Sequence, residues 1–87
     1  MTRILLLSVA LLAAPMAALA LPAVGDIVGT NPDDATAALK AAGCDVTAFE
    51  AEGGKIDARC TDAATGDVLE VSIDPKTGAV LDLKKGD

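Results

Sequence analysis

From Val46 onward the chain alternates apolar and polar residues in short runs, and each run ends in a polar break that carries glycine. Gly54, Gly66 and Gly78 stand twelve residues apart in these breaks. Turn signals at that spacing, between alternating runs, predict an antiparallel meander in which each strand reverses into the next. The predicted strands are Val46 to Glu52, Lys55 to Asp62, Val68 to Asp74 and Ala79 to Lys84. In the second, Ile56, Ala58 and Cys60 share one face; in the third, Leu69, Val71 and Ile73 face inward against Glu70 and Ser72 outward. Leu81 and Leu83 are the apolar positions of the fourth. Gly53-Gly54 forms a tight turn, and one D-x-x-T-G turn occurs twice, from Asp62 to Gly66 and from Asp74 to Gly78, the second with Pro75 pre-set for a turn.

Before the strands the period changes. Ala35, Ala38, Leu39 and Ala42 fall at helical spacing along one face. Asn31 is placed to cap that helix, Pro32 suits its first position, and Asp33 and Asp34 complement the positive end of its dipole. Gly43 is placed to end it. A face made mostly of alanine lets a helix approach a sheet closely but does not fill a core, so the sheet supplies the rest. Residues 21–30 are apolar but broken by Pro22, Gly25 and Gly29, and read as an irregular entry segment. The fold class is α+β: one N-terminal helix packed on an antiparallel β-meander of about four strands, in a single domain over residues 31–87.

The first twenty residues are a separate object. Arg3 supplies a positive start, Ile4 to Leu12 an apolar run, Pro15 a breaker, and Ala18-Leu19-Ala20 the small-x-small pattern of a signal-peptidase site. Residues 1–20 therefore read as a signal peptide cut between Ala20 and Leu21. A retained membrane anchor is the competing reading, but Ser8 and Pro15 interrupt the run and no basic cluster follows it. Removing 20 of the 87 residues leaves 67 and shifts the formal charge from −6 to −7, because the segment holds Arg3 and no acid. The expected location is periplasmic or secreted, with no membrane attachment after cleavage.

A domain of this size has one small core and benefits from a covalent staple. Cys44 and Cys60 are the only two cysteines, in a compartment where disulfides persist. A bridge closing a loop of about 15 residues contributes about 3 kcal/mol in the chain-entropy model. Ideal pairing across Gly53-Gly54 nevertheless sets Thr47 opposite Cys60 and leaves Cys44 on the other face. A bulge near the glycines, or a strand beginning after Cys44, would remove the conflict. The last hairpin has a similar tension: a four-residue loop pairs Ile73 with Val80, whereas Leu81 and Leu83 ask for a slip of one.

The composition argues against catalysis. The chain has no histidine, which removes the usual general base near neutral pH and the commonest zinc ligand. The cysteines lack the C-x-x-C arrangement of redox enzymes, so a structural bridge outweighs a thiol redox role. Asp62, Asp67 and Asp74 lie near turns, but Asp62 to Asp67 lacks the alternating ligands and closing Glu of a calcium loop, and turn formation accounts for them. Glu50 and Glu52 beside Asp57 read as the wet face of a ribbon rather than a catalytic pair. No cofactor and no metal site are expected. An acidic chain whose one aromatic residue is Phe49 has neither a phosphate-neutralising patch nor a stacking platform for nucleic acid. A protein partner can be met by the acidic face or at a sheet edge, with Phe49 and aliphatic residues as its anchors. Lys84 and Lys85 on the last strand also serve to discourage edge pairing.

The segments Val46 to Ile56 and Gly66 to Val80, following an Asp-rich, Ala-rich helix that ends in glycine, together resemble the PepSY domain, the family of peptidase propeptides and YpeB. Its hallmark is a strand-turn-strand of the form DGxxYEVxVDxxTGxV, and Gly66, Glu70, Val71, Asp74, Thr77 and Gly78 match it. The chain departs from it with Leu69 where an aromatic is usual, and in its cysteine pair. The resemblance implies a non-enzymatic exported interaction module that modulates or inhibits a peptidase or another envelope or secreted protein, acting in trans because no peptidase is attached. It supplies no catalytic residues. A cation- or small-ligand-binding acidic module and a thiol redox protein are the alternatives.

Overall fold

The structure is a computed structural model that describes residues 21–86, so the signal peptide expected over residues 1–20, with Ala20 on the near side of the cut, lies outside the described residues. One helix, α1 (Pro32–Ala41), is followed by β1 (Cys44–Glu52), β2 (Lys55–Asp62), β3 (Val68–Ile73) and β4 (Val80–Lys85). The strands form one antiparallel sheet in the order β1-β2-β3-β4. This is the expected α+β architecture of one helix on a four-stranded meander.

The helix is bounded as its sequence requires. Asn31 has extended backbone, its side chain accepts a hydrogen bond from the Asp34 N–H at 2.9 Å, and its amide donates to the Asp34 carboxylate. Asp33 and Asp34 occupy the first turn and Lys40 the last. Ala35 and Leu39 are buried, and α1 packs chiefly against β1. Small side chains at 35 and 38 bring the helix backbone close to the sheet, while Leu39 supplies its one large apolar group.

Two bulges decide which residues face the helix. The β1–β2 ladder runs regularly from Glu52↔Lys55 to Ala48↔Arg59 and then shifts, so that Val46 pairs with Cys60 and Cys44 with Asp62. Thr47 is the extra residue, and its hydroxyl donates to the Arg59 carbonyl at 3.2 Å. One inserted residue reverses the alternation beyond it, which carries Cys44 and Val46 to the face of Phe49 and Ala51. The bulge therefore sits at Thr47, not near the glycines, and β1 begins at Cys44 rather than after it.

In the last hairpin Ile73 pairs with Val80 and Ser72 with Asp82, leaving Leu81 as the extra residue. Val80 and Leu83 then both face inward, so the Ile73–Val80 pairing is kept and the expected apolar face holds for Leu83 alone. Leu81 is thereby corrected: it is 47% exposed and not part of the core. Ser72 stands on the outer face as expected yet is buried, donating a hydrogen bond to Asp57 Oδ1 at 2.8 Å.

The core comprises Val28, Ala35, Leu39, Cys44, Ala58, Cys60, Val71, Ile73 and Val80, with Val46, Phe49, Ile56, Leu69 and Leu83 packed against it. The entry segment is irregular but docked. Ile27 bridges Ala79, the Val80 N–H donates to the Asp26 carbonyl at 2.8 Å, and the Gly25 N–H donates to the Val80 carbonyl at 2.9 Å. It thus covers the start of the β4 edge.

Candidate functional site

The chemistry of the repeated turn is structural. In the turn from Asp62, the Asp62 carboxylate accepts the Ala64 N–H at 2.9 Å, the Thr65 hydroxyl accepts the Asp67 N–H at 3.1 Å, and the Gly66 N–H donates to the Asp62 carbonyl at 2.7 Å. The turn from Asp74 repeats each bond. Asp74 Oδ1 accepts from the Lys76 N–H at 2.8 Å, Thr77 Oγ1 from the Ala79 N–H at 3.2 Å, and the Asp74 carbonyl from the Gly78 N–H at 2.8 Å. Gly66 and Gly78 close the turns with φ of 81° and 77°. Their carboxylates are thus turned onto their own backbone N–H groups.

The other motif residues have equally local tasks. Val71 is fully buried in the core. Glu70 lies on the outer face, 2.8 Å from Arg59 Nη2 and 3.9 Å from Lys84 Nζ, in a row that pairs Ala48, Arg59, Glu70 and Lys84 across the sheet. Lys85 reaches Asp67 at 3.4 Å. The adjacent row places Glu50, Asp57, Ser72 and Asp82 side by side. Among the described residues no three Asp, Glu or Cys side chains converge on a point where a metal ion could be held.

Cys44 and Cys60 form a disulfide with Cα atoms 5.3 Å apart. Both residues are fully buried beneath α1. The bridge runs diagonally, two residues off the β1–β2 pairing, and ties the helix exit to the middle of the sheet.

The feature that is neither turn nor core is a groove of about 190 Å³ on the inner face, where the first turn of α1 meets the β1–β2 hairpin. Pro32 and Ala35 form one wall, Phe49 and Ala51 the other, and Ile56 and Ile73 the floor. It exists because α1, at ten residues, is about 15 Å long while the nine-residue β1 runs about 30 Å. The helix leaves the tip of the first hairpin uncovered. Glu50 is also at the rim, and Asn31 stands at the helix end of the groove.

Phe49, the chain's one aromatic residue and the anchor expected for a partner, stands on a wall of this groove. Ile56 and Ile73 read only as core, and Pro32 and Pro75 only as cap and turn. Their meeting around an open space depends on helix placement, for which no local signal exists. No family model, curated protein or solved structure matches this chain.

Proposed function

We propose that this chain is an exported, non-enzymatic interaction module of PepSY-like character, which binds an envelope or secreted protein and modulates it, with a peptidase as the foremost target. The observation that carries the reading is the open apolar groove at the tip of the first hairpin, next to an unpaired strand edge. Support also comes from the D-x-x-T-G strand-turn-strand that prompted the resemblance, and from the disulfide, which suits an oxidising compartment. A redox role is disfavoured because both sulfurs are enclosed, and thiol exchange requires an attacking thiolate to reach them. Glu50, Asp57 and Asp82 share one row of the outer face, but among the described residues no three acids converge on a metal-holding point, which speaks for a protein surface over a cation site.

The test starts from the full coding sequence, expressed with its leader and recovered after export. Its intact mass under non-reducing conditions should equal that of residues 21–87 less two hydrogens. Affinity capture from the native envelope fraction should then retain a peptidase or other envelope protein whose activity changes as more of the chain is added. Uncleaved, cell-retained material, or repeated captures that hold nothing specifically, would overturn the reading.

A further inference from the structure

The two edges of the sheet are treated differently. The β4 edge is covered at its start by residues 25–28, through hydrogen bonds between Gly25 and Val80, Val80 and Asp26, and Val28 and Gly78. Lys84 and Lys85 guard its far end. The β1 edge has no such cover: β1 is terminal in the sheet, and among the described residues its backbone bonds to no element other than β2. Alternate N–H and C=O groups of an edge strand point outward, a row able to accept another strand.

The side chains along this edge set the chemistry of what would fit. After the Thr47 bulge, the straight stretch Ala48–Glu52 turns Phe49 and Ala51 toward the groove and Glu50 and Glu52 toward the outer face. Both acids are exposed, and neither has an ion-pair partner within 4 Å among the described residues. A strand laid beside Ala48–Glu52 would send alternate side chains to opposite faces. One set would enter the apolar groove, and the other would lie beside two unneutralised carboxylates.

We propose that the β1 edge takes up an extended peptide segment in which apolar and basic residues alternate, its apolar side chains seated in the groove beside Phe49 and its cations against Glu50 and Glu52. The proposal rests on the interaction-module reading and names the chemistry of its partner. A second copy of the chain is the wrong occupant. β1 carries Asp45, Glu50 and Glu52 and no base, so edge-to-edge pairing of two copies gathers like charges on one face. The same acids that keep copies apart attract a cationic strand, with main-chain hydrogen bonds giving affinity and alternate side chains giving specificity.

The experiment uses the exported chain and an eight-residue peptide alternating lysine and valine. Controls are the same peptide with glutamate for lysine, and the lysine peptide N-methylated at every second residue. Binding is followed by calorimetry, and the site by amide hydrogen exchange and NMR shifts. The lysine peptide should slow exchange in residues 48–52 and shift Phe49, and each control should bind at least tenfold more weakly. Glu50→Lys combined with Glu52→Lys, both at exposed positions, should reverse the preference toward the glutamate peptide. Equal binding of the N-methylated peptide, protection confined to the outer face or the β4 edge, absence of binding, or self-association through β1 would overturn the proposal. A captured partner protein whose footprint lies elsewhere would overturn it as well while leaving the interaction-module reading intact.

Discussion

At the scale of single residues, two glycines that share a turn sequence carry different burdens. Gly66 and Gly78 both have positive φ. A Cβ at Gly66 meets nothing within 4 Å, whereas one at Gly78 would lie 2.8 Å from the Gly29 carbonyl carbon. Gly66→Ala should cost only the left-handed backbone strain of about 1 to 2 kcal/mol. Gly78→Ala must also push the entry segment off the β4 edge, so its cost in urea denaturation should exceed that of Gly66→Ala by about 1 kcal/mol or more. Equal costs would show that the contact with Gly29 is not tight in solution. Glu70, by contrast, is a matching motif residue with a modest physical task. Its pairing with Arg59 is partly solvated, and such pairs contribute at most about 1 kcal/mol.

At the scale of elements, α1 is held by one large side chain and β4 by a bulge. Leu39 is fully buried and the rest of the helix's inner face is alanine. Leu39→Ala should therefore destabilise by about 2 to 5 kcal/mol, as for other leucine truncations in cores. Leu81→Ser should change stability by no more than about 0.5 kcal/mol, because the bulge turns this residue outward. Thermal or urea melts of the two variants separate the outcomes, and a large loss at Leu81 would contradict the bulged register. The contrast shows why the fourth strand was only half legible. Leu81 and Leu83 have the spacing of one face, and the pattern was sound for Leu83, but the Asp74–Gly78 turn pairs Val80 with Ile73. An extra residue reconciles the two demands, and alternation by itself has no place for an extra residue.

At the scale of the whole molecule, so small a domain has a thin margin of stability and one covalent tie. Globular domains retain about 0.05 to 0.15 kcal/mol per residue, which for so short a chain is only a few kcal/mol. Reducing the Cys44–Cys60 bridge, which closes a loop with a sequence separation of 16, removes about 3 kcal/mol in the chain-entropy model. The urea midpoint should fall by about 1 to 3 M under reducing conditions, measured by circular dichroism with and without reductant. A midpoint indifferent to reductant would place the stability in the sheet alone. Net charge of −6 adds self-repulsion that also discourages association of copies.

The sequence by itself determined what local chemistry decides. The Asn31 cap, the helix period, the two Asp-Thr-Gly turns and the bounds of β2 are each written within a few consecutive residues, where side chain and backbone hydrogen bond to one another. The tertiary structure decided what depends on residues far apart. The bulges at Thr47 and Leu81 choose the inward faces, and the one at Thr47 brings Cys44 onto the face of Cys60, since a strand's register is set by its partner and by the core it must share. The groove and the bare β1 edge arise from where a short helix comes to rest on a longer hairpin, and no stretch of the chain encodes that placement alone.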